Sequence, residues 1–389
     1  MRGTVCPIVE RAGCQGLWRR GNVRGAPAVE SESIRTGADG GATESILPSP
    51  IPSMNRLVPK AAVAAVACAA STSALAQSVP TLYGLVDMSV GSFESPGGPS
   101  VKRAESGRMS SSYLGIRGSD NLGGGLRARF TLETYIRADE GAAGRSAADP
   151  FWARTAHVGL QGAFGTSVLG RSPTPLWTST RLFNPFGDSV GFSPSIRHYF
   201  GGTIVGDSRW NNSVAFSTPE VENGFMYSVQ FNAGEGAAGS TGKNTGVNAL
   251  YTSGPLSATG TWQRVRNGPG PLPAGFDHQS AFQFGASYEM RFVRLYGQAG
   301  RVETVADTDV TSTLYQLGAV SPIGLGFLMG SYGYAKDRAP NSSVLRRTFS
   351  LGYDYFLSKA TDIYAVVMNE RVTALSSANT VAAGVRLRF

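Results

Sequence analysis

Residues 380–389 read Thr380-Val381-Ala382-Ala383-Gly384-Val385-Arg386-Leu387-Arg388-Phe389, and this stretch decides the fold class. Val381, Ala383, Val385, Leu387 and Phe389 fall on one face of an extended chain; Ala382, Gly384, Arg386 and Arg388 fall on the other. A two-residue period of this kind marks a β-strand whose faces meet different surroundings. The pattern recurs upstream. Leu126, Ala128, Phe130 and Leu132 alternate with Arg127, Arg129, Thr131 and Glu133, while Val293, Leu295, Gly297 and Ala299 oppose Arg294, Tyr296, Gln298 and Gly300. Helical spacing is nearly absent.

Between the alternating segments lie turn clusters of two kinds. Short ones include 119–125, 219–224 and 253–255; longer, more polar ones include 92–107, 139–150, 268–277 and 336–345. The two kinds alternate along the chain. Sixteen strand-like segments result, starting near Val79, Arg108, Leu126, Phe151, Thr166, Ser208, Phe225, Asn244, Leu256, His278, Arg291, Ser312, Gly324, Arg346, Thr361 and Asn379.

Composition agrees with an all-β chain. Of 389 residues 50 are glycine, 10% are aromatic and only 16% are charged, with 35 Lys and Arg against 27 Asp and Glu. Dense aromatics and sparse charge argue against disorder, and the glycines show no three-residue period of the collagen type. No uninterrupted apolar run reaches the roughly 18–20 residues of a spanning helix.

All three cysteines, Cys6, Cys14 and Cys68, lie in the first 68 residues. Around the last of them, Met54-Asn55-Arg56 and Lys60 form a basic start, 61–70 an apolar stretch, and Ala74-Leu75-Ala76 a small-residue cleavage motif. This pattern reads as a secretory signal over 54–76 rather than as a buried Ala-rich helix. Residues 1–53, rich in Arg, Gly, Ser and Pro, read as a non-native extension from a mis-assigned start. The functional domain is then 77–389, without cysteine and so without disulfides to rely on.

Alternating strands suit either a soluble sandwich or a membrane barrel. In the barrel, apolar side chains meet lipid and polar ones line a lumen. The polar faces here carry Arg, Glu, Tyr and Gln, and aromatics gather at segment ends, where interfacial girdles lie. Because hydrocarbon offers no hydrogen bonds, such a sheet must close on itself.

Several motifs then resemble one family, the trimeric general diffusion porins of Gram-negative outer membranes, in their β-proteobacterial branch. Val79-Pro80-Thr81-Leu82-Tyr83-Gly84-Leu85-Val86-Asp87 resembles the opening strand of that family. Tyr113–Gly118 with Leu122–Leu126 resembles its second hairpin, Ala156–Leu160 through Leu169-Gly170-Arg171 the approach to its internal loop, and Arg209–Val214 the strand after that loop. Thr361–Ala365 and the terminal Phe389 complete the set. The resemblance implies a sixteen-stranded antiparallel transmembrane β-barrel with an inward-folded constriction loop. It also implies a homotrimer in outer-membrane lipid that passes small ions and solutes passively, with no cofactor. Phe389 looks like the signal read by the barrel-assembly machinery.

The longest stretch without alternation runs from about 171 to 206, far beyond the roughly 12–15 residues of an idle loop. In the family this loop narrows the pore, with acids on its tip opposed by bases on the wall. Its tip here reads Asn184-Pro185-Phe186-Gly187-Asp188, where the enteric branch has Pro-Glu-Phe-Gly, so one acid is lost and Asp188 is the nearest carboxylate. The resemblance puts Arg154 at the basic-wall position; alternation adds Arg117, Arg127 and Arg129 on the polar face. A narrow, partly desolvated passage rimmed by arginine discriminates between ions, so an anion preference is expected.

Enzymatic constellations are lacking. His157, His198 and His278 are scattered and have no cysteine partners for zinc, and neither a G-x-S-x-G elbow nor an H-E-x-x-H pattern occurs. His157, grouped with Thr155 and Gly159, is expected on the outer or interfacial face. The modest positive charge is spread along strands, unlike a clustered nucleic-acid-binding face. The competing reading is a structural or adhesive outer-membrane barrel, or an outer-membrane hydrolase. Neither needs so long an internal loop.

Overall fold

The computed structural model describes residues 79–219, 223–234 and 243–389; the expected extension (1–53) and export signal (54–76) lie outside the described residues. The strands are β1 (Thr81–Phe93), β2 (Val101–Ser106), β3 (Tyr113–Gly123), β4 (Leu126–Arg137), β5 (Ala142–Ala143), β6 (Thr155–Gly162), β7 (Gly165–Pro173), β8 (Arg209–Ser217) and β9 (Gly224–Asn232). They continue as β10 (Thr245–Ser253), β11 (Leu256–Val265), β12 (His278–Glu289), β13 (Arg294–Val305), β14 (Val310–Ile323), β15 (Gly326–Ala339), β16 (Ser342–Phe356), β17 (Thr361–Val372) and β18 (Ala378–Arg388). Two short helices, α1 (Pro175–Leu182) and α2 (Pro194–Phe200), interrupt the sequence of strands.

Neighbours along the chain pair antiparallel, and β1 pairs with β18 from Leu85↔Arg388 to Ser92↔Val381, which closes the sheet. β2 and β3 both pair with β1 and form one stave in two pieces, while β5 adds only a two-residue ladder to the end of β4. The result is a closed barrel of sixteen staves. Closure brings the last residue against the first strand: the Gly84 N–H donates to the Phe389 carbonyl (3.0 Å) and the Phe389 N–H to the Gly84 carbonyl (3.2 Å). A Cβ on Gly84 would lie 2.7 Å from the Phe389 ring, so glycine makes room for the terminal aromatic.

Burial is inverted relative to a soluble fold. Outward positions such as Val158, Phe284, Leu317 and Val381 are exposed, whereas inward Asp87, Gln230, Gln263, Gln283 and Asp362 are buried. Short turns at one end (Gly124-Gly125, Gly254-Pro255, Gly324-Leu325) alternate with connections at the other that are mostly longer, the two-residue Pro340-Asn341 turn being an exception. This is the layout of an outer-membrane barrel.

Three expectations need correction. The first is the expected loop 336–345, which is almost all strand: β15 and β16 stay paired down to Ala339↔Ser342, so only Pro340 and Asn341 turn the chain. The stave expected to begin near Arg108 is instead broken there, and part of the expected loop 92–107 is strand β2. The cause is Asp87, whose Oδ2 accepts from the N–H groups of Met109 (2.7 Å) and Ser110 (2.9 Å) and so pulls residues 107–112 out of the ladder. His157 faces the lumen, not the outside. Register pairs it with the inward Thr131 and leaves Ala156, Val158 and Leu160 as the outward set.

Candidate functional site

Residues between β7 and β8 fold into the barrel as a helix–turn–helix strap. Proline at the first turn and a capping hydroxyl start each helix: Thr174 Oγ1 accepts from Trp177 N–H (3.1 Å), and Ser193 Oγ from Ile196 N–H (3.4 Å). Asn184 staples the turn between them. Its Nδ2 donates to the carbonyls of Thr180 and Gly187 (2.8 Å each), and its Oδ1 accepts from Phe186 N–H and Ser193 Oγ (2.9 Å each). Gly187 completes the turn at φ +56°, a left-handed conformation that glycine adopts without strain.

The far wall is built to receive this strap. Gly285, Gly300, Gly318, Gly333 and Gly352 stand on the inner face of five consecutive strands, β12 to β16. A Cβ on Gly318 would lie 2.4 Å from Pro185 Cγ, and one on Gly333 2.6 Å from Pro194 Cβ. Glutamines fasten the seat: Gln283 Nε2 donates to Thr180 Oγ1 (2.9 Å), Gln298 Nε2 to the Thr180 carbonyl (2.9 Å) and Gln279 Nε2 to the Thr203 carbonyl (2.8 Å). Arg197 of α2 grips Glu370 of β17 with two bonds (3.1 and 2.5 Å). Beyond them the strap reaches the break in the second stave, where Gly191 N–H (3.0 Å) and Ser189 Oγ (2.7 Å) donate to the Arg108 carbonyl. The broken stave is thus the landing point of the loop.

The loop tip is an anchor. Asn184, Pro185 and Phe186 are buried, and Phe186 joins a cluster with Phe93, Met109, Phe192 and Tyr364. Asp188 stays half-buried and interacts electrostatically with Arg181 and Arg154.

Around Asp188 the opposite wall gathers charge. Arg154, just before β6, pairs with Glu133 of β4 and lies 3.8 Å over the Tyr113 ring. Tyr83 Oη donates to the other oxygen of Glu133 (2.7 Å). Arg181, in the last turn of α1, and Arg209, at the start of β8, both lie within electrostatic reach of Arg154. Burial, with Arg154 adding to it, lowers the Arg181 pKa, and Asp188 opposes the shift. Arg209 is held between the rings of Tyr135 (5.2 Å) and Trp177 (5.3 Å).

Structure divides the expected wall arginines by height. Register pairs Glu133 with Gly115 and Thr155, so Arg117 lies one inward position towards the short-turn end, with its guanidinium 4.7 Å from the Tyr83 ring centre. At about 3.3 Å per residue, Arg129 is about 13 Å and Arg127 about 20 Å along β4 from Glu133. They line the short-turn mouth, away from the cluster. Sequence reading missed Glu133, Arg181 and Arg209 as cluster members. Glu133 and Arg209 show inward parity, but Arg181 lies in the non-alternating loop, where parity says nothing.

At the long-loop end Asp207 is clamped by Arg145 (2.7 and 3.1 Å) and Arg171 (3.1 Å). Burial alone would raise its carboxyl, but the bonds from Arg145 and the charges of both arginines outweigh this and hold it well below the usual carboxylate range. Burial, with Arg346 and Arg197 nearby, pushes His198 down to about 3, so it is neutral at physiological pH. Its Nε2 lies 2.9 Å from Thr348 Oγ1. Among the described residues no cluster of His, Cys, Asp and Glu could hold a metal.

A closed barrel with an apolar outside, a polar inside and a strap folded across its lumen is a transmembrane channel. The chain belongs to the Gram-negative porin family, whose model matches residues 61–375. It is 33% identical over 317 residues to outer membrane porin protein 32 of Delftia acidovorans, covering 78% of this chain and 87% of that protein. An outer membrane porin of Bordetella pertussis is 26% identical over 378 residues, covering 81% of this chain and 95% of that protein. Among solved structures, an anion-selective porin from Comamonas acidovorans superposes with a TM-score of 0.67 at 26% identity, covering 80% of this chain and all of that one. The protein is an outer-membrane channel, and its relatives are channels rather than enzymes.

Proposed function

We propose that this channel passes small hydrophilic solutes passively and prefers anions, with the strap and the Arg154–Arg181–Arg209 cluster forming its eyelet. The observation that carries the reading is the charge balance at that level: Arg181 and Arg209, each in electrostatic reach of Arg154, against Glu133 and Asp188. Glu133 is tied to Arg154, which leaves positive charge in excess beside Asp188. Arg117 stands further along the inner wall, and Arg129 and Arg127 line the short-turn mouth. The anion selectivity of the Comamonas porin supports the same sign. An exposed, backbone-fastened Phe389 supports its role as the assembly signal, and family membership supports a homotrimer.

The test is the reversal potential of single channels in a planar bilayer under a salt gradient. Anion preference is expected, and cation preference would overturn the proposal. Arg154→Glu should move the potential towards cations.

A further inference from the structure

The geometry points to a solute-binding cavity beside Arg346, away from the eyelet, that takes small organic monocarboxylates with an apolar body. The cavity measures about 380 Å³, within the roughly 300–1,000 Å³ of small-molecule sites. It lies between α2 of the strap and the inner faces of β16 and β17, and it reaches Pro96 in the connection from β1 to β2. Glu370 and Val372 stand at the long-loop end of β17, so the cavity belongs to that end of the lumen. The eyelet residues Arg154, Arg181 and Arg209 do not line it.

Its lining is unlike that of a passage for hydrated ions. Val190, Ile196 and Phe200 of the strap and Val372 of the wall bring apolar surface to it. Val190 is 41% exposed although the strap lies inside the barrel, and ion passage has no use for an uncovered valine. An apolar body seated there removes that surface from water. The polar groups fix the sign of the ligand. Arg197 and Arg346 border the cavity with one carboxylate, Glu370. Glu370 is fully engaged: Arg197 donates to both its oxygens (3.1 and 2.5 Å) and Thr348 Oγ1 to Oε1 (3.4 Å). Arg346 is not. Its Nη2 donates to Thr203 Oγ1 (2.7 Å) and Asp337 (2.8 Å), but its Nε is buried without a partner. A buried donor left unmade is costly, and a carboxylate matches the fork of a guanidinium. The local field has the same sign: burial first, then Arg346 and Arg197, hold His198 on the cavity wall uncharged, with no carboxylate opposing them. A zwitterion fits poorly, since Glu370 has no free oxygen for an ammonium. A monocarboxylate on an apolar body satisfies Arg346 and Val190 together.

The experiment is a ligand-observed NMR titration of the detergent-purified protein with benzoate, blanked against protein-free micelles. Acetate, the charge without the body, and benzamide, the body without the charge, are the comparisons. Benzoate should bind about tenfold more tightly than either. Arg346→Gln should weaken benzoate about tenfold, the worth of one charged hydrogen bond. Val190→Ser, at an exposed position, should weaken it about threefold through lost apolar contact. Arg154→Gln should leave benzoate affinity unchanged, which separates this cavity from the eyelet. Absence of benzoate binding would overturn the inference. Equal affinity for acetate would do the same, since it would mean a plain anion site, and equal affinity for benzamide would mean an apolar crevice indifferent to charge. Loss of benzoate binding in Arg154→Gln, with Arg346→Gln and Val190→Ser unaffected, would move the ligand to the eyelet and also defeat it.

Discussion

Glu133→Gln is the most informative single change. Glutamine keeps the shape of glutamate and an acceptor for Tyr83 Oη, now 2.7 Å away, but removes the negative charge paired with Arg154. For an ion passing about 6 Å from the altered charge, water-like screening gives about 0.7 kcal/mol per unit charge. A Debye length of about 10 Å at 0.1 M salt cuts this to about 0.4 kcal/mol. Anions gain that amount and cations lose it, so the difference is about 0.8 kcal/mol and the anion-to-cation permeability ratio should rise about fourfold. A drier passage would give more. The assay is the reversal potential under a KCl gradient, repeated at higher salt, where the gain should shrink. An unchanged ratio, or a shift towards cations, would show that Arg154 and its neighbours do not face the ion path and would refute the eyelet assignment.

Three further outcomes follow from the way the strap is held. Gly318→Val puts methyl groups where Pro185 sits, 2.4 Å from an added Cβ; overpacking of about 1–3 kcal/mol should lower the unfolding temperature and add large fluctuations to the open-channel current. Asn184→Ala removes the staple of the turn between α1 and α2, costing about 1–3 kcal/mol of unsatisfied buried groups, and should make the strap cleavable by protease in the folded protein. His198, held neutral by burial with a pKa of about 3, takes up its proton more readily when unfolded, near about 6.5. Stability should therefore rise with pH between those values, and His198→Gln should flatten that slope in pH-dependent thermal melts.

Much of the barrel was legible because membrane physics acts on every second residue. Val381, Val385 and Leu387 announce the lipid face within a single strand, and the start points expected for β4, β11, β12 and β17 match the structure. Where the reading failed, a long-range contact overrode the local pattern. Nothing near Arg108 signals a broken stave, since the group that breaks it is the carboxylate of Asp87, on the neighbouring strand. His157 was placed outward although the alternation of Ala156, Val158 and Leu160 gives it to the lumen, as the register bears out.

By itself, the sequence determined the class of fold, the inside-out burial and the existence of a long inward segment, because these depend only on period, composition and spacing. Tertiary structure alone decided where that segment lies and which charges it meets. Five glycines from β12 to β16 mean little one at a time; aligned by register, they make the seat of the strap. Arg181 becomes part of the basic cluster only because α1 carries it back to Arg154, and Glu133 becomes its counter-charge only because β4 and β6 are paired. Electrostatic selectivity depends on distances between side chains far apart in the chain, and those distances exist only once the barrel has closed.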